Sequence, residues 1–387
     1  MLASSTSALG IIFPNSYDAL VPELSNVRLM ASIPFASRYR MIDFILSSMV
    51  NCGISNVTVL VRNNYSSLMD HLGSGREWDL TRKNGGLHII PPYAEKQNKL
   101  FTGHVEALAN VLEFLRHQNE KYVFLSDANI AVNFDFNAML KAHIENDADV
   151  TAAYIAEELP SSALKHTAND RGLYYTFALT GTRISKIYIN PRDTGIQNFS
   201  MNIYCIERKK LIDMINTAFV RGQVYFERDV LAPNLESLNV QGFKYEGYAA
   251  RISDMRSYFD ENMKLLDDEN LDALFAPNPI YTKIRDDNPT RYIPGSEVSN
   301  VMVADGCVIV CSCHNDLIAA LFQFISQLKR NFEVELIFRD TAVGSLGTCG
   351  TLCFHFRGAG TIRFKSTHVY RFTLMAWINS YYMAIAF

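Results

Sequence analysis

What this chain has little of narrows it first. Basic residues (36) do not outnumber acidic ones (40), the formal charge is −4 and the pI is near 6.2, so the basic footprint that nucleic acid or an anionic membrane surface demands is missing. No apolar run is long enough to span a bilayer, and the opening MLASSTSALGIIFP has neither a positive n-region nor the apolar length of a secretory leader. A cytoplasmic location is the expectation. Cysteine is scarce over the first three hundred residues, where only Cys52 and Cys205 occur, both in apolar segments; the other five of the seven follow residue 306 and set the end of the chain apart. What remains, 48% hydrophobic and 20% charged over 387 residues, suits a soluble globular protein with a sizeable core and more than one domain.

Glycine and basic side chains are also missing where a ligand loop is expected. Ala8 to Phe13 is a short continuous apolar run that serves as the first, central strand of a doubly wound sheet. The stretch after it, PNSYDALVPELSNVR, has no glycine and no basic residue before Arg28. Asn15 and Ser16 can make a turn there, but nothing lets backbone N–H groups or a cation approach phosphate oxygens closely.

The stretch PFASRYRMIDFILSSMVNCGISNVTVLV, residues 34–61, reads as loop, helix and strand in immediate succession, the makings of a βαβ unit. Arg38 to Val50 carries apolar residues at helical spacing (Met41, Ile42, Ile45, Leu46, Met49, Val50), Gly53 stops the helix, and Val57 to Val61 is a buried strand. Downstream, Asn63 to Leu72 and residues 101–118 read as helices, Tyr122 to Leu125 as a strand, Phe136 to Glu145 as a helix and Ala148 to Ala153 as a strand. After a polar loop at 159–171, Tyr174 to Leu179 and Ile184 to Ile189 form an antiparallel pair, followed by a helix at 207–219, a strand at Val240 to Ala250 and a helix at 255–267.

Residues 34–54 resemble the motif P-x-x-G-K-Y-R-L-I-D-F-x-L-S-N-x-x-N-S-G-I of the glucose-1-phosphate adenylyltransferases, and the likeness extends over roughly residues 8 to 309. It implies an α/β fold: a nucleotidyltransferase (Rossmann-like) mixed-sheet domain over 1–270, a linker at 271–297, and a left-handed β-helix domain that starts at 298–309 and is truncated. The implied reaction joins ATP and glucose 1-phosphate into ADP-glucose and pyrophosphate for glycogen synthesis. Its catalysis rests on positioning and charge neutralisation, with Mg2+ as the metal if the protein is active.

Against that motif set the charge-bearing positions are rewritten. The family loop G-G-x-G-x-R-L-x-P-L-T becomes the glycine-free stretch above; in R-A-K-P-A-V-P, Arg28 is kept but Lys becomes Met30. In G-T-A-D-A-V, Gly103 and Ala107 stay while His104 replaces Thr and Glu106 replaces Asp; a lone histidine there reads as a surface residue rather than as a general base or a ligand. The metal-binding Asp of G-D-H-I-Y-x-x-D-Y is displaced: Asp127 is out of register and Asn129 stands at the expected spacing from Asp135. F-V-E-K-P becomes Tyr188-Ile189-Asn190-Pro191 without its charges, whereas S-M-G-I-Y survives as SMNIYCI with Ser200, a sugar contact or an ordinary strand serine. In the last motif, W-R-D-V-G-T-x-x-x-Y-W-x-A-N, Arg251, Tyr258 and Asn262 hold the frame, Ile252 and Ser253 take the Asp position, and Asp254 is a substitute carboxylate or the cap of the next helix.

Arg28, Gly103, Ser200 and Arg251 are therefore the vestigial substrate-binding positions, Asp127 and Asp254 the candidate metal pair, and no catalytic residue is assigned. The resemblance implies a regulatory subunit, catalytically weak or inactive, whose partner is a catalytic glucose-1-phosphate adenylyltransferase subunit and whose effector is a sugar phosphate or nucleotide. The alternatives are a weak enzyme that uses the shifted metal pair and a sugar-phosphate sensor without an enzyme partner. Beyond Ile309 the apolar-polar repeat stops: LIAALFQFISQL (317–328) is helical in pattern, and Cys311, Cys313, His314, Cys349, Cys353 and His355 do not follow a standard zinc spacing. The abrupt change makes 310–387 an atypical tail and fits a reading-frame shift near codon 310 better than a replacement domain.

Overall fold

A computed structural model of the chain describes residues 7–26, 28–92, 101–158, 174–191 and 195–309. Of the tail it describes the backbone of Cys313–His314, Val334–Thr341, Cys349–Phe356, Ile362–Arg363, Thr373–Ile378 and Tyr381–Ala386. The chain divides into two compact units: Met1–Ile33, Met41–Ser253 and Asp272–Lys283 make the first, and Pro34–Arg40, Asp254–Leu271 and Ile284–Phe387 the second.

The first unit is built on a nine-stranded mixed sheet. Its strands are β1 (Ala8–Phe13), β2 (Asn56–Leu60), β3 (Gly86–Ile90), β4 (Tyr122–Asp127), β5 (Val150–Glu158), β6 (Tyr175–Thr180), β7 (Arg183–Ile189), β8 (Ile196–Glu207) and β9 (Val240–Tyr245), in spatial order β3-β2-β1-β4-β8-β5-β9-β7-β6. As its unbroken apolar run predicts, β1 is buried on both faces and central, parallel to β2 on one side and to β4 on the other. Antiparallel pairing enters with β8, which lies between β4 and β5.

Alternation along β1 feeds two cores. Ala8 and Ile12 face helix α1 (Met41–Asn51) through Ile42, Ile45, Leu46 and Met49, while Leu9, Ile11 and Phe13 pack with Val105, Leu108 and Leu115 on the opposite face. Gly10 leaves room on the α1 side, since a Cβ there would stand 2.5 Å from Met49 Sδ. The βαβ reading of 34–61 holds, but α1 starts at Met41 rather than Arg38. Pro34–Phe35 and Tyr39–Arg40 pair as an antiparallel hairpin through left-handed Ala36 (φ 48°) and Ser37 (φ 71°), which takes those residues out of the helix.

The helix expected over 101–118 is two, α2 (His104–Ala109) and α3 (Leu112–Arg116). Its i−4 ladder gives way at Val111, whose N–H donates to Leu108 O at 3.1 Å. Residues Asp272–Lys283 pack along the sheet domain: Tyr281 N–H donates to Ser47 Oγ at 2.9 Å and Asn133 Nδ2 to Asn278 O at 2.8 Å. No helix among the described residues is long and apolar enough to cross a membrane.

In the second unit, helix α4 (Met255–Lys264) holds the 34–40 hairpin. Tyr258 Oη donates to Pro34 O at 2.8 Å, and buried Asn262 accepts from Ala36 N at 3.1 Å. Two short parallel pairings follow, Arg291–Tyr292 with Val308–Ile309 and Val298–Ser299 with Cys313–His314. In the tail, Val334–Thr341 pairs antiparallel with Cys349–Phe356, and Thr373–Ile378 with Tyr381–Ala386. The helix read at 317–328, the zinc reading of the late cysteines and the loop at 159–171 lie outside the described residues.

Candidate functional site

The carboxyl ends of the parallel strands β1 and β4 put the loop after Phe13 beside Asp127, the place where open α/β sheets carry ligands. The loop is closed on itself. Asn15 Nδ2 donates to Asp18 Oδ2 at 2.8 Å, Asn15 Oδ1 accepts from Arg62 N at 2.7 Å, and Asp18 Oδ1 accepts from Met30 N at 2.6 Å. Burial pushes the Asp18 carboxyl up to about 6, although Asn15, the Met30 amide and the Arg62 charge pull it down. The amides of Asp18 and Leu20 are used in turns on Asn15 O and Tyr17 O. Among the described residues of this loop, the side chains of Asn15 and Asp18 and the amides of Asp18 and Leu20 are thus engaged within the protein.

From this loop Ser16 and Tyr17 enter a buried polar network. Ser16 Oγ donates to Asp127 Oδ1 at 2.5 Å and lies 3.2 Å from His104 Nε2, which itself sits 3.1 Å from Asp127 Oδ1. On its other side, His104 Nδ1 is 3.7 Å from Oε1 of Glu227, a residue 2% exposed within the π-helical turn Phe226–Leu231. Burial works against a charged imidazole, but the charge and hydrogen bond of Asp127, and then those of Glu227, outweigh it and lift His104 to about 10. Burial likewise opposes the Glu227 carboxylate, yet His104 holds its pKa below the usual value. An imidazolium is thus set between two buried carboxylates.

Asn202 closes the network from β8. Its Nδ2 donates to Tyr17 Oη at 2.6 Å and to Asp127 Oδ2 at 2.9 Å, while its Oδ1 accepts from Ser200 Oγ at 3.1 Å. It adopts φ 54° where the pairing of β8 with β5 shifts register between Ser200 and Tyr204. Tyr17 stacks on Tyr174 with ring centroids 6.0 Å apart.

The sequence candidates take separate places. Gly103 is fixed by a close approach of chain, since a Cβ there would meet Val224 O at 2.3 Å. Ser200 belongs to the network, Arg28 is buried, and Met30 is fully buried with its amide on Asp18. Arg251 lies 3.2 Å from Glu157 Oε1 with its guanidinium 3.8 Å from the Phe199 ring centroid. Asn190, where the motif has Lys, is a left-handed turn residue (φ 47°) whose Oδ1 accepts from Tyr174 N at 2.8 Å.

A divalent metal does not fit these residues. The two oxygens of Asp127 already receive Ser16, His104 and Asn202. Asn129 and Ile252, which stand where the motifs place their carboxylates, meet only through Ile252 N–H donating to Asn129 O at 3.0 Å. Asp254 is a helix cap, accepting from Ser257 N at 2.7 Å in a capping box, so the Asp127–Asp254 pairing is corrected. Among the described residues no group of three metal-ligating side chains assembles. His104 is likewise corrected from a surface residue to the centre of the network.

The sequence reading missed Tyr17, Asn202 and Glu227. Two of the three were signalled, because Asn202 stands at the Gly of S-M-G-I-Y, and YFERDVLAPNL (225–235) resembles the family's F-G-x-D-[LIV]-[LI]-P-x-L with Glu227 at its Gly. Side chains added at glycine positions, His104 and the rewritten loop all meet in one network.

Comparison with known proteins agrees with this frame. Residues 20–162 match the nucleotidyl transferase family. The chain is 34% identical over 317 residues to the glycogen biosynthesis protein GlgD of Geobacillus stearothermophilus, covering 80% of this chain and 79% of the relative. It is 30% identical over 303 residues to the GlgD of Bacillus subtilis, covering 78% and 76%. It is also 30% identical over 297 residues to the glucose-1-phosphate adenylyltransferase of Thermotoga maritima, covering 74% and 67%. The chain belongs to the glucose-1-phosphate adenylyltransferase family. A family member named for that activity, from Thermomicrobium roseum, is 30% identical over 294 residues, covering 74% of this chain and 66% of its own length.

Proposed function

We propose that this chain works in glycogen biosynthesis as a regulatory, catalytically weak or inactive subunit of glucose-1-phosphate adenylyltransferase. The observation that carries the reading is the polar network of Ser16, Tyr17, His104, Asp127, Asn202 and Glu227 at the ligand end of the sheet. Nucleotidyl transfer from ATP needs cations aimed at triphosphate oxygens. Here the one cation of the network is held by two carboxylates, so entering phosphates would meet spent positive charge.

The names of the two GlgD relatives support the pathway, and the retained frame of hairpin, α4 and sheet supports selection for folding and assembly rather than chemistry. In this reading the partner is a catalytic subunit of the same family, met in the cytoplasm in a hetero-oligomer. The effector is a sugar phosphate or nucleotide, and the parallel pairings at 291–314 begin a left-handed β-helix. Co-expression with a catalytic homologue tests it: the two chains should co-elute and the homologue's response to effectors should change. Separate elution with unchanged partner kinetics contradicts it.

A further inference from the structure

Beyond this reading and independent of it, we propose that Tyr17 is a built-in plug, latched by Asn202, that closes the ligand end of the sheet from within. Tyr17 holds φ 66°, a left-handed conformation that aromatic residues rarely adopt and that persists only where the surroundings enforce it. Two contacts hold the far end of the side chain: Asn202 Nδ2 donates to Oη at 2.6 Å, and the ring stacks on Tyr174 at an interplanar angle of 28°.

The other end of the latch, Asn202, is left-handed too. Asparagine suits that position for two reasons. Among residues with a side chain it tolerates φ > 0 well, and its amide reaches Tyr17 and Asp127 at once, which the glycine of the motif could not do. Ser200 Oγ, donating to Asn202 Oδ1 at 3.1 Å, fixes which end of the amide faces Tyr17. The phenol thus supplies from inside what a bound molecule's ring and hydroxyl would supply: a surface for Tyr174 and an acceptor for Asn202. Displacing it frees the loop to return to ordinary backbone angles.

Hydrogen exchange on the full-length wild type, Tyr17→Phe, Asn202→Gly and the double variant tests the latch. The amides of Asp18 and Leu20, bonded to Asn15 O and Tyr17 O, report on the loop, and those of β1 report on the sheet. Both single variants should exchange tenfold or more faster at the loop amides with β1 still protected. Tyr17→Phe should have a smaller effect in the Asn202→Gly background than in the wild type, because the bond they share is already gone. If Asn202→Gly does not fold, Tyr17→Phe decides alone, as it keeps the ring and removes only the hydroxyl. Unchanged loop protection in Tyr17→Phe, or additive effects in the double variant, overturns the proposal.

Discussion

His104 Nε2 lies 3.1 Å from Asp127 Oδ1, so a residue at the start of α2 and one at the end of β4 share a proton-bearing contact under the first loop. Burial opposes the imidazolium and the two carboxylates overcome it, leaving the folded value, about 10, above the ordinary 6.5. With the folded value raised, the stabilisation is complete below about 6.5 and is lost as the pH rises through 10. Unfolding free energy should fall by about 2 to 4 kcal/mol between neutral and strongly alkaline pH. Denaturant titrations of wild type and His104→Gln across that window check this, the variant giving the flatter profile.

Asp18 behaves in the opposite practical sense at neutral pH. Its folded value is raised from 3.8 to about 6, chiefly by burial, so its protonated form contributes stability that is present below 3.8 and lost as the pH passes through 6. Asp18→Asn keeps an acceptor for Met30 N and carries no charge. It forfeits the hydrogen bond from Asn15 Nδ2, so its signature is the pH dependence: its melting temperature relative to wild type should rise by about 2 to 5 °C from pH 4 to neutral pH. Scanning calorimetry at both pH values reads the difference.

Gly103→Ala should destabilise the first unit by about 1 to 3 kcal/mol, because the new methyl would press on Val224 O, which accepts from Val105 N at 3.2 Å. The same variant should leave no metal- or nucleotide-dependent shift that the wild type lacks, since the glycine serves packing. Thermal shift with and without ATP and Mg2+ separates the two roles.

The tail makes a prediction at the level of the gene. Parallel pairing runs through Val308–Ile309 and Cys313–His314, whereas the later strand pairs are antiparallel. If a frame shift near codon 310 produced residues 310–387, one of the other two frames beyond that codon encodes a resumed apolar-polar repeat. Its absence from both frames refutes the shift.

Much of the frame was legible in the sequence. The six-residue apolar run of β1 and the helical spacing of Met41 to Met49 have one satisfactory home each, a central strand and the helix that covers it. The absence of glycine and of basic residues from the loop after Phe13 was equally legible. The network that stands there was not. Ser16, Tyr17, His104, Asp127, Asn202 and Glu227 are scattered over the chain, and although Asn202 and Glu227 stand at motif glycines, nothing local to either segment says that they meet. His104 and Asp254 show the two directions of the difficulty: sequence context alone cannot tell an imidazole on the surface from one between carboxylates, whereas a capping box is local and was foreseen.

The measurement that tests the regulatory reading most directly is the rate at which the isolated full-length chain forms ADP-glucose from ATP and glucose 1-phosphate, set beside a catalytic homologue under the same conditions. Each missing charge contact removes about ten- to a thousandfold, so a rate several orders of magnitude lower is expected. Neither added Mg2+ nor Asn190→Lys should restore it, because the cationic deficits are distributed and Asp127 is engaged by Ser16, His104 and Asn202. A rate within about tenfold of the homologue would contradict the regulatory reading.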